Sequence, residues 1–217
     1  MLTFYHKIDA PFKRDENGTK KLLIGEFRDE TVEYLKDAQW CLTEKVDGTN
    51  IIVYWDGHNV SIHGRTKNSQ IPAPLMEYLT KTFLTPEVEE LFEQKFGEKE
   101  VHLYGEGYGD KIQEVGKKYR SDNAFILFDV MVGTTWLSRE NVADIAKCFG
   151  VEAVPVIGYC TLMDAIEMVK DKYKSLVAQD KELPMEGFVC RPAVELKDKC
   201  GHRVIVKVKV HDFCENI

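Results

Sequence analysis

Near its C-terminal end the chain runs Arg203-Val204-Ile205-Val206-Lys207-Val208-Lys209-Val210. Side chains along a strand alternate between its two faces, so Lys207 and Lys209 point one way and the valines the other. The segment therefore predicts a half-buried strand with a cationic open side. Other strands are expected at residues 50–55 and 59–63, a hairpin turning through Asp56-Gly57 with His58, and at 100–104, 124–130 and 187–191. Pro74 followed by Leu75, Leu79 and Phe83, then Val88, Leu91 and Phe92 after Pro86, predicts helix that is interrupted or restarted at the second proline. Ser138 opens a further helix carrying Val142, Ile145 and Ala146, Gly150 closes it, and another helix is expected over residues 162–177. The order shows no regular βαβ alternation, which favours an α+β fold with largely antiparallel sheets.

The chain has 217 residues and shows no repeat, low-complexity tract or linker, so one domain over 1–217 is expected. No apolar run approaches the ~20 residues that cross a bilayer, and the N-terminus lacks the pattern of a signal peptide. Six scattered cysteines without a CxxC pair suit reduced thiols and a cytoplasmic setting. The cluster Cys200, His202, His211, Cys214 has zinc-ligand chemistry but no recognised spacing. A net charge of −7 argues against broad non-specific attachment to nucleic acid. It leaves room for local basic surfaces, at Lys111–Lys117–Lys118–Arg120 and in the segment from Lys197 to Lys209, with the acidic residues Glu87, Glu89, Glu90 and Glu93 elsewhere; an acidic back and a basic cleft would reconcile the two.

Chemistry concentrates in a few short segments. Thr43-Glu44-Lys45-Val46-Asp47-Gly48-Thr49-Asn50 sets a lysine just before the first hairpin strand. A lysine amine attacks phosphorus only when deprotonated, and its reference pKa is about 10.4, so its surroundings must favour the neutral form. Gly48 permits close backbone approach to a nucleotide, and Asp47 can orient the amine or a metal-bound target. Downstream, Arg65 in His63-Gly64-Arg65-Thr66 offers a planar fork of donors to phosphate. Glu106, between glycines in Tyr104-Gly105-Glu106-Gly107-Tyr108-Gly109, offers a carboxylate to ribose hydroxyls. One aromatic in Phe125-Ile126-Leu127-Phe128-Asp129-Val130 can stack on a base, and Glu186 in Met185-Glu186-Gly187-Phe188 can hold Mg2+ directly or through water. If the lysine face of the last strand lines the same pocket as Lys45, its charges would disfavour protonation of the nucleophile and stabilise charge developing on an α-phosphate.

The ordered set EKVDGTN, HGRT, YGEGYG, FILFDV, MEGFVCRP and VIVKVKV resembles the covalent nucleotidyltransferase superfamily of ATP-dependent ligases and mRNA capping enzymes, and more narrowly its RNA ligase 2-like branch. The resemblance implies an ATP-grasp-like nucleotidyltransferase domain and a set of roles. Lys45 would carry AMP as a phosphoramidate, Glu44, Asp47, Gly48 and Asn50 would surround the nucleotide, and Arg65 would hold phosphate. Glu106 would bind the ribose, Phe128 would stack on adenine, Glu186 would assist Mg2+, and Lys207 with Lys209 would contact the α-phosphate. The implied activity is ATP-dependent sealing of 3′-OH and 5′-phosphate ends in nicked or broken duplex RNA.

Two departures bear on that expectation. Phage-type members of the branch often carry histidine where this chain has Asp47, as DNA ligases and capping enzymes do. Only His211 to Ile217 follow the two-lysine strand, so a catalytic core without an OB-fold is expected, with strand binding left to the core or to a partner protein. A DNA ligase or guanylyltransferase using the same lysine, and a non-catalytic nucleotide- or RNA-binding module, remain the alternatives.

Overall fold

The computed structural model describes residues 1–16 and 18–215. Along the chain the elements begin with β1 (Phe12–Arg14), β2 (Leu22–Phe27), α1 (Glu30–Leu35), β3 (Trp40–Glu44), β4 (Thr49–Trp55) and β5 (Val60–Gly64). They continue with α2 (Ala73–Phe83), α3 (Pro86–Phe96), β6 (Val101–Gly109), α4 (Gly116–Tyr119), β7 (Asn123–Val132), β8 (Thr135–Trp136) and α5 (Arg139–Cys148). The last are β9 (Glu152–Ala153), β10 (Val156–Cys160), α6 (Leu162–Val169), β11 (Gly187–Pro192), β12 (Val206–Lys209) and a short π-helix, His211–Glu215. No helix among the described residues is long and apolar enough to cross a membrane. The fold is α+β with largely antiparallel sheets, as the sequence predicts.

Where the sequence marks no boundary, packing resolves two compact units, each threaded by several short passes of the chain. The first comprises residues 1–6, 47–154 and 178–180; the second comprises the described residues of 7–46, 155–177 and 181–215.

The first unit is built on the sheet β5-β4-β6-β7-β8, with β9 parallel to β7. Ile51, Val53 and Trp55 of β4, Val101 and Leu103 of β6, and Phe125, Leu127 and Val130 of β7 form one buried face together with Leu75, Leu79 and Phe83 of α2. Those three α2 residues recur every four positions, which lines them along one side of a helix. Pro86 starts α3 at its first turn, behind the cap Thr85, where a missing N–H costs nothing. Ser138 caps α5 by accepting from Asn141 N–H.

The opposite face of this sheet carries Tyr54, His102 and Tyr104, partly covered by the chain's first residues. Thr3 N–H donates to His102 Nε2 (2.9 Å), and Tyr104 Oη donates to Thr3 O (2.9 Å). His102 is 1% exposed, and burial lowers its pKa to about 4. Between about pH 6.5 and pH 4 the unfolded chain therefore binds a proton that the folded chain does not. Stability should fall as pH drops through that window, by about 3 kcal/mol in total. Urea unfolding at pH 7 and pH 4.5 checks this: the loss should shrink clearly in His102→Gln, and equal losses in both proteins would refute it.

The second unit is built on the sheet β10-β3-β11-β12 with the separate β1-β2 pair. Its core gathers Trp40, Leu42, Phe188, Cys190, Val206 and Val208 from the sheet with Leu162, Ala165, Ile166 and Val169 of α6. Helix α6 stops at Val169, eight residues short of the expected end. Lys172 turns to a left-handed conformation (φ 51), and residues 173–175 instead run beside 183–185, with Ser175 N–H donating to Leu183 O and Met185 N–H to Tyr173 O (both 2.8 Å).

Candidate active site

In the second unit, strand register brings three distant segments to the same end of one sheet. Lys45 follows β3 directly, and its N–H donates to Gly187 O (2.9 Å). On the other side of β11, Gly187 pairs with Lys209 of β12. Gly187 has φ 151, and a Cβ there would strike the Val208 carbonyl, so only glycine permits this approach. The outcome is a charge cluster. Glu186 accepts from Lys45 Nζ through Oε2 (2.6 Å) and from Lys209 Nζ through Oε1 (2.8 Å). The side chains of Lys45, Glu186 and Lys209 are 25%, 19% and 30% exposed, so the cluster is partly desolvated yet open to a ligand.

Lys207 stands two residues before Lys209 on the same face of β12, while the alternating Val206 and Val208 are fully buried. Burial, and then the ammonium charges of Lys45 and Lys209, lower the pKa of Lys207, which ties all three lysines to one electrostatic neighbourhood. Beside the cations that the sequence expects around Lys45, the structure places the Glu186 carboxylate in direct contact with the amine, which is held in an ion pair with it.

Glu44 is 1% exposed, and its carboxylate accepts from Ser175 Oγ and from Leu176 N–H (2.8 Å). Burial raises its pKa, against the opposing effect of the Ser175 hydroxyl and the Leu176 and Val177 amides. Its side chain pins the 175–177 loop beside β3, so a nucleotide would reach that carboxylate only by displacing those bonds.

In the first unit two of the expected nucleotide residues, Asn50 and Glu106, fall on the sheet face opposite the α2-packed core. Asn50 of β4 is the cross-strand partner of Glu106 of β6, so the two side chains are neighbours on one face. Asn50 Oδ1 is buried and, among the described residues, has no hydrogen-bond partner, an acceptor left for a donor to fill. Residues 105–109 continue β6 rather than turning, and the glycines serve the core behind them: a Cβ at Gly105 would strike the Phe125 ring, and one at Gly107 would strike Leu75. Gly48 is equally constrained, since a Cβ there would meet Glu106 Cγ at 2.7 Å, and its carbonyl accepts from Gln113 Nε2 (2.8 Å). Its close approach here is to β6. Asp47 lies at the start of this unit, its N–H near Tyr119 Oη (3.4 Å), and Arg65 is exposed just past β5.

Phe128 occupies a β-bulge. Tyr104 pairs with Asp129 and Gly105 with Leu127, which leaves Phe128 as the extra residue of β7. Phe125 is 2% exposed and locked edge-to-face against Phe83, whereas Phe128 is half-buried and meets the Tyr5 ring at 5.0 Å. Of the two aromatics in this segment, Phe128 is the one with a face to offer. Beside it, fully buried Asp129 accepts from Tyr5 Oη (2.8 Å) and from Arg139 Nη2 (2.9 Å). Tyr5, Arg139 and Ser175 carry no motif that marks them in the sequence, yet each partners a buried carboxylate here. A carboxylate inside an apolar strand was the available signal, because a buried charge needs a partner.

The sequence profile of the RNA ligase family matches residues 38–209, a span that runs from just before β3 to the end of β12 and takes in Lys45, Glu186 and Lys209. The chain belongs to the RNA ligase family. Solved structures similar to it include the Naegleria gruberi RNA ligase. A glutamate-to-alanine variant of that ligase with ATP and Mn superposes with a TM-score of 0.67 at 19% identity, covering 100% of this chain and 59% of the other. A lysine-to-methionine variant with AMP and Mn gives 0.63 at 18%, covering 86% and 54%, and a complex with PPi gives 0.63 at 20%, covering 85% and 53%. This RNA ligase family member thus spans rather more than half the length of those chains. No curated protein matches it by sequence.

Among the cluster residues of this RNA ligase family chain, Glu186 has the donor chemistry for a hard divalent cation. Such ions take oxygen ligands, and Mg2+ is commonly held by one or two carboxylates with waters and substrate phosphates completing its shell. Glu186 fits that pattern, because the two ammonium groups already on its oxygens mark a carboxylate placed to receive positive charge.

Proposed function

We propose that this protein is an ATP-dependent RNA ligase that carries AMP on Lys45. The observation that carries the reading is the Lys45–Glu186–Lys209 cluster with Lys207 beside it: a nucleophilic amine, a cation-binding carboxylate and two further cations suited to a triphosphate. A magnesium ion held by Glu186 would neutralise phosphate charge when bound. For the attack, the Lys45 amine leaves its contact with Glu186 and passes a proton to solvent water. Lys45 Nζ then attacks the α-phosphorus of ATP, forming an N–P bond as the P–O bond to pyrophosphate breaks. Lys207 and Lys209 stabilise the charge that develops on the α-phosphate oxygens. A terminal oxygen of an RNA 5′-phosphate next attacks the same phosphorus, breaking the N–P bond and freeing Lys45. Finally a 3′-OH attacks the activated 5′-phosphate, joins the strands and releases AMP.

For the nucleotide, the reading assigns Glu106 and the open acceptor of Asn50 to the ribose hydroxyls, Phe128 to the adenine, Arg65 to phosphate, and Glu44, Asp47 and Gly48 to the ordering of the segment around Lys45. RNA with nicked or broken duplex ends is the proposed substrate, with the cytoplasm as the setting and a partner protein as one source of extra strand binding.

Mass spectrometry of the protein after incubation with ATP and Mg2+ tests this. The expected result is an added AMP mapped to Lys45, discharged on addition of 5′-phosphorylated nicked RNA with sealing of the nick. An adduct formed with GTP instead, or discharged only by nicked DNA, would replace RNA ligation with one of the sister activities. No adduct at all would remove the enzyme.

A further inference from the structure

The sequence raised Cys200, His202, His211 and Cys214 as possible zinc ligands without a recognisable spacing. Folding redraws that set. Cys214 sits in the terminal π-helix with its thiol towards Lys170 O (4.0 Å), while Asp198 joins Cys200 and His202. Among the described residues, these three alone form a group of metal-ligating side chains, one ligand atom from each lying within 4.8 Å of the others.

They share a tight loop closed by the pairing of Lys197 with Arg203 and by Asp198 N–H donating to His202 O (2.8 Å). Gly201, at φ 84, makes the turn. The loop is anchored where Arg203, its side chain 4% exposed, donates to both oxygens of Glu195 (2.6 and 2.7 Å). Within it the two oxygens of Asp198 divide their work. Oδ1 accepts from Cys200 N–H and His202 N–H (both 2.8 Å), which fixes the carboxylate and leaves Oδ2 turned to His202 Nδ1 at 3.3 Å. Zinc bonds to nitrogen and oxygen are about 2.0–2.2 Å, and a tetrahedron of that size has edges of roughly 3.3–3.5 Å, so this pair already spans one edge. Cys200 and His202 are exposed, so the thiol can rotate inward without disturbing the core.

We infer that Asp198, Cys200 and His202 form a binding site for a zinc-class divalent cation, distinct from the hard-cation position at Glu186. A thiolate, an imidazole and a carboxylate together suit Zn2+ and its neighbours and disfavour Mg2+ or Ca2+. Three protein ligands leave a fourth position for water or an incoming ligand. The loop leads directly into β12, so a bound ion would stiffen the approach to the strand bearing Lys207 and Lys209.

Titration of the chelator-stripped full chain with Co2+ tests the site. One equivalent should produce thiolate-to-cobalt charge transfer in the near ultraviolet with visible bands of tetrahedral strength, Zn2+ should abolish both, and excess Mg2+ should not. Cys200→Ser should remove the charge-transfer band, and His202→Ala should weaken affinity by about tenfold or more. Cys148→Ser and Cys214→Ser should bind as the parent does. A flat titration, or a band that survives Cys200→Ser, would overturn the inference, and neither result would bear on AMP transfer at Lys45.

Discussion

Lys45→Ala should take up no AMP under conditions where the parent chain is stoichiometrically labelled by α-radiolabelled ATP, and Lys45→Arg should be equally silent. A guanidinium stays protonated at any accessible pH, so keeping the charge does not keep the nucleophile. Glu186→Ala separates two roles for the carboxylate. If Glu186 merely restrained the lysine, removing it would free the amine and speed labelling; if it places the cation that draws charge from the phosphates, labelling should fall by roughly 100-fold or more. The fall is the expected result, because Glu186 has the oxygen-donor chemistry of a hard-cation ligand and stands beside the cations of Lys45 and Lys209. Lys209→Ala should lose a comparable factor of about 100–1,000 in the rate of adenylation. Labelling that persists in Lys45→Ala would end the proposal.

The second large effect concerns stability. Arg139→Ala strands the fully buried Asp129 carboxylate with its main ionic partner gone, a change that typically costs about 3–5 kcal/mol. For a chain of this size that should lower the thermal midpoint by roughly 10 °C. Replacing both residues with leucine should recover much of the loss, since a buried ion pair is often no better than an apolar pair of similar volume. The bulge at Phe128 gives the same variants a second readout. Asp129 adjoins that ring and holds Tyr5, which meets it edge-on, so the leucine pair should bind ATP more weakly even where its stability returns. Calorimetric melting and isothermal titration with ATP measure the two quantities apart. An unchanged midpoint in Arg139→Ala would show the pair to be dispensable.

What the sequence disclosed followed from periodicity and order. The hairpin, the helix restart at Pro86, the cap at Ser138 and the alternating lysine strand were all legible because each rests on a local rule. So was the grouping of Lys45, Glu186 and the two lysines, through the order of their motifs. What escaped depended on partners far along the chain. Residues 170–176 have helical composition, yet they pair with 183–185 and with the buried Glu44 carboxylate, contacts that no local window contains. The glycines at 105 and 107 lie past the expected strand end at 104, because the side chains that exclude a Cβ there, Phe125 and Leu75, come from other elements. The buried acceptors of Asp129 likewise looked like an interruption in an apolar strand until Tyr5 and Arg139 arrived from both directions.

Those two glycines also mean that the strand carrying Glu106 rests bare-backboned on an aromatic ring and a leucine, like a beam on two shims. The height of its carboxylate above the sheet is set from beneath. Under the ribose role proposed for Glu106, trimming Phe125 or Leu75 would let the beam sag and change how the acid meets a sugar without altering any atom on the side where the sugar would lie.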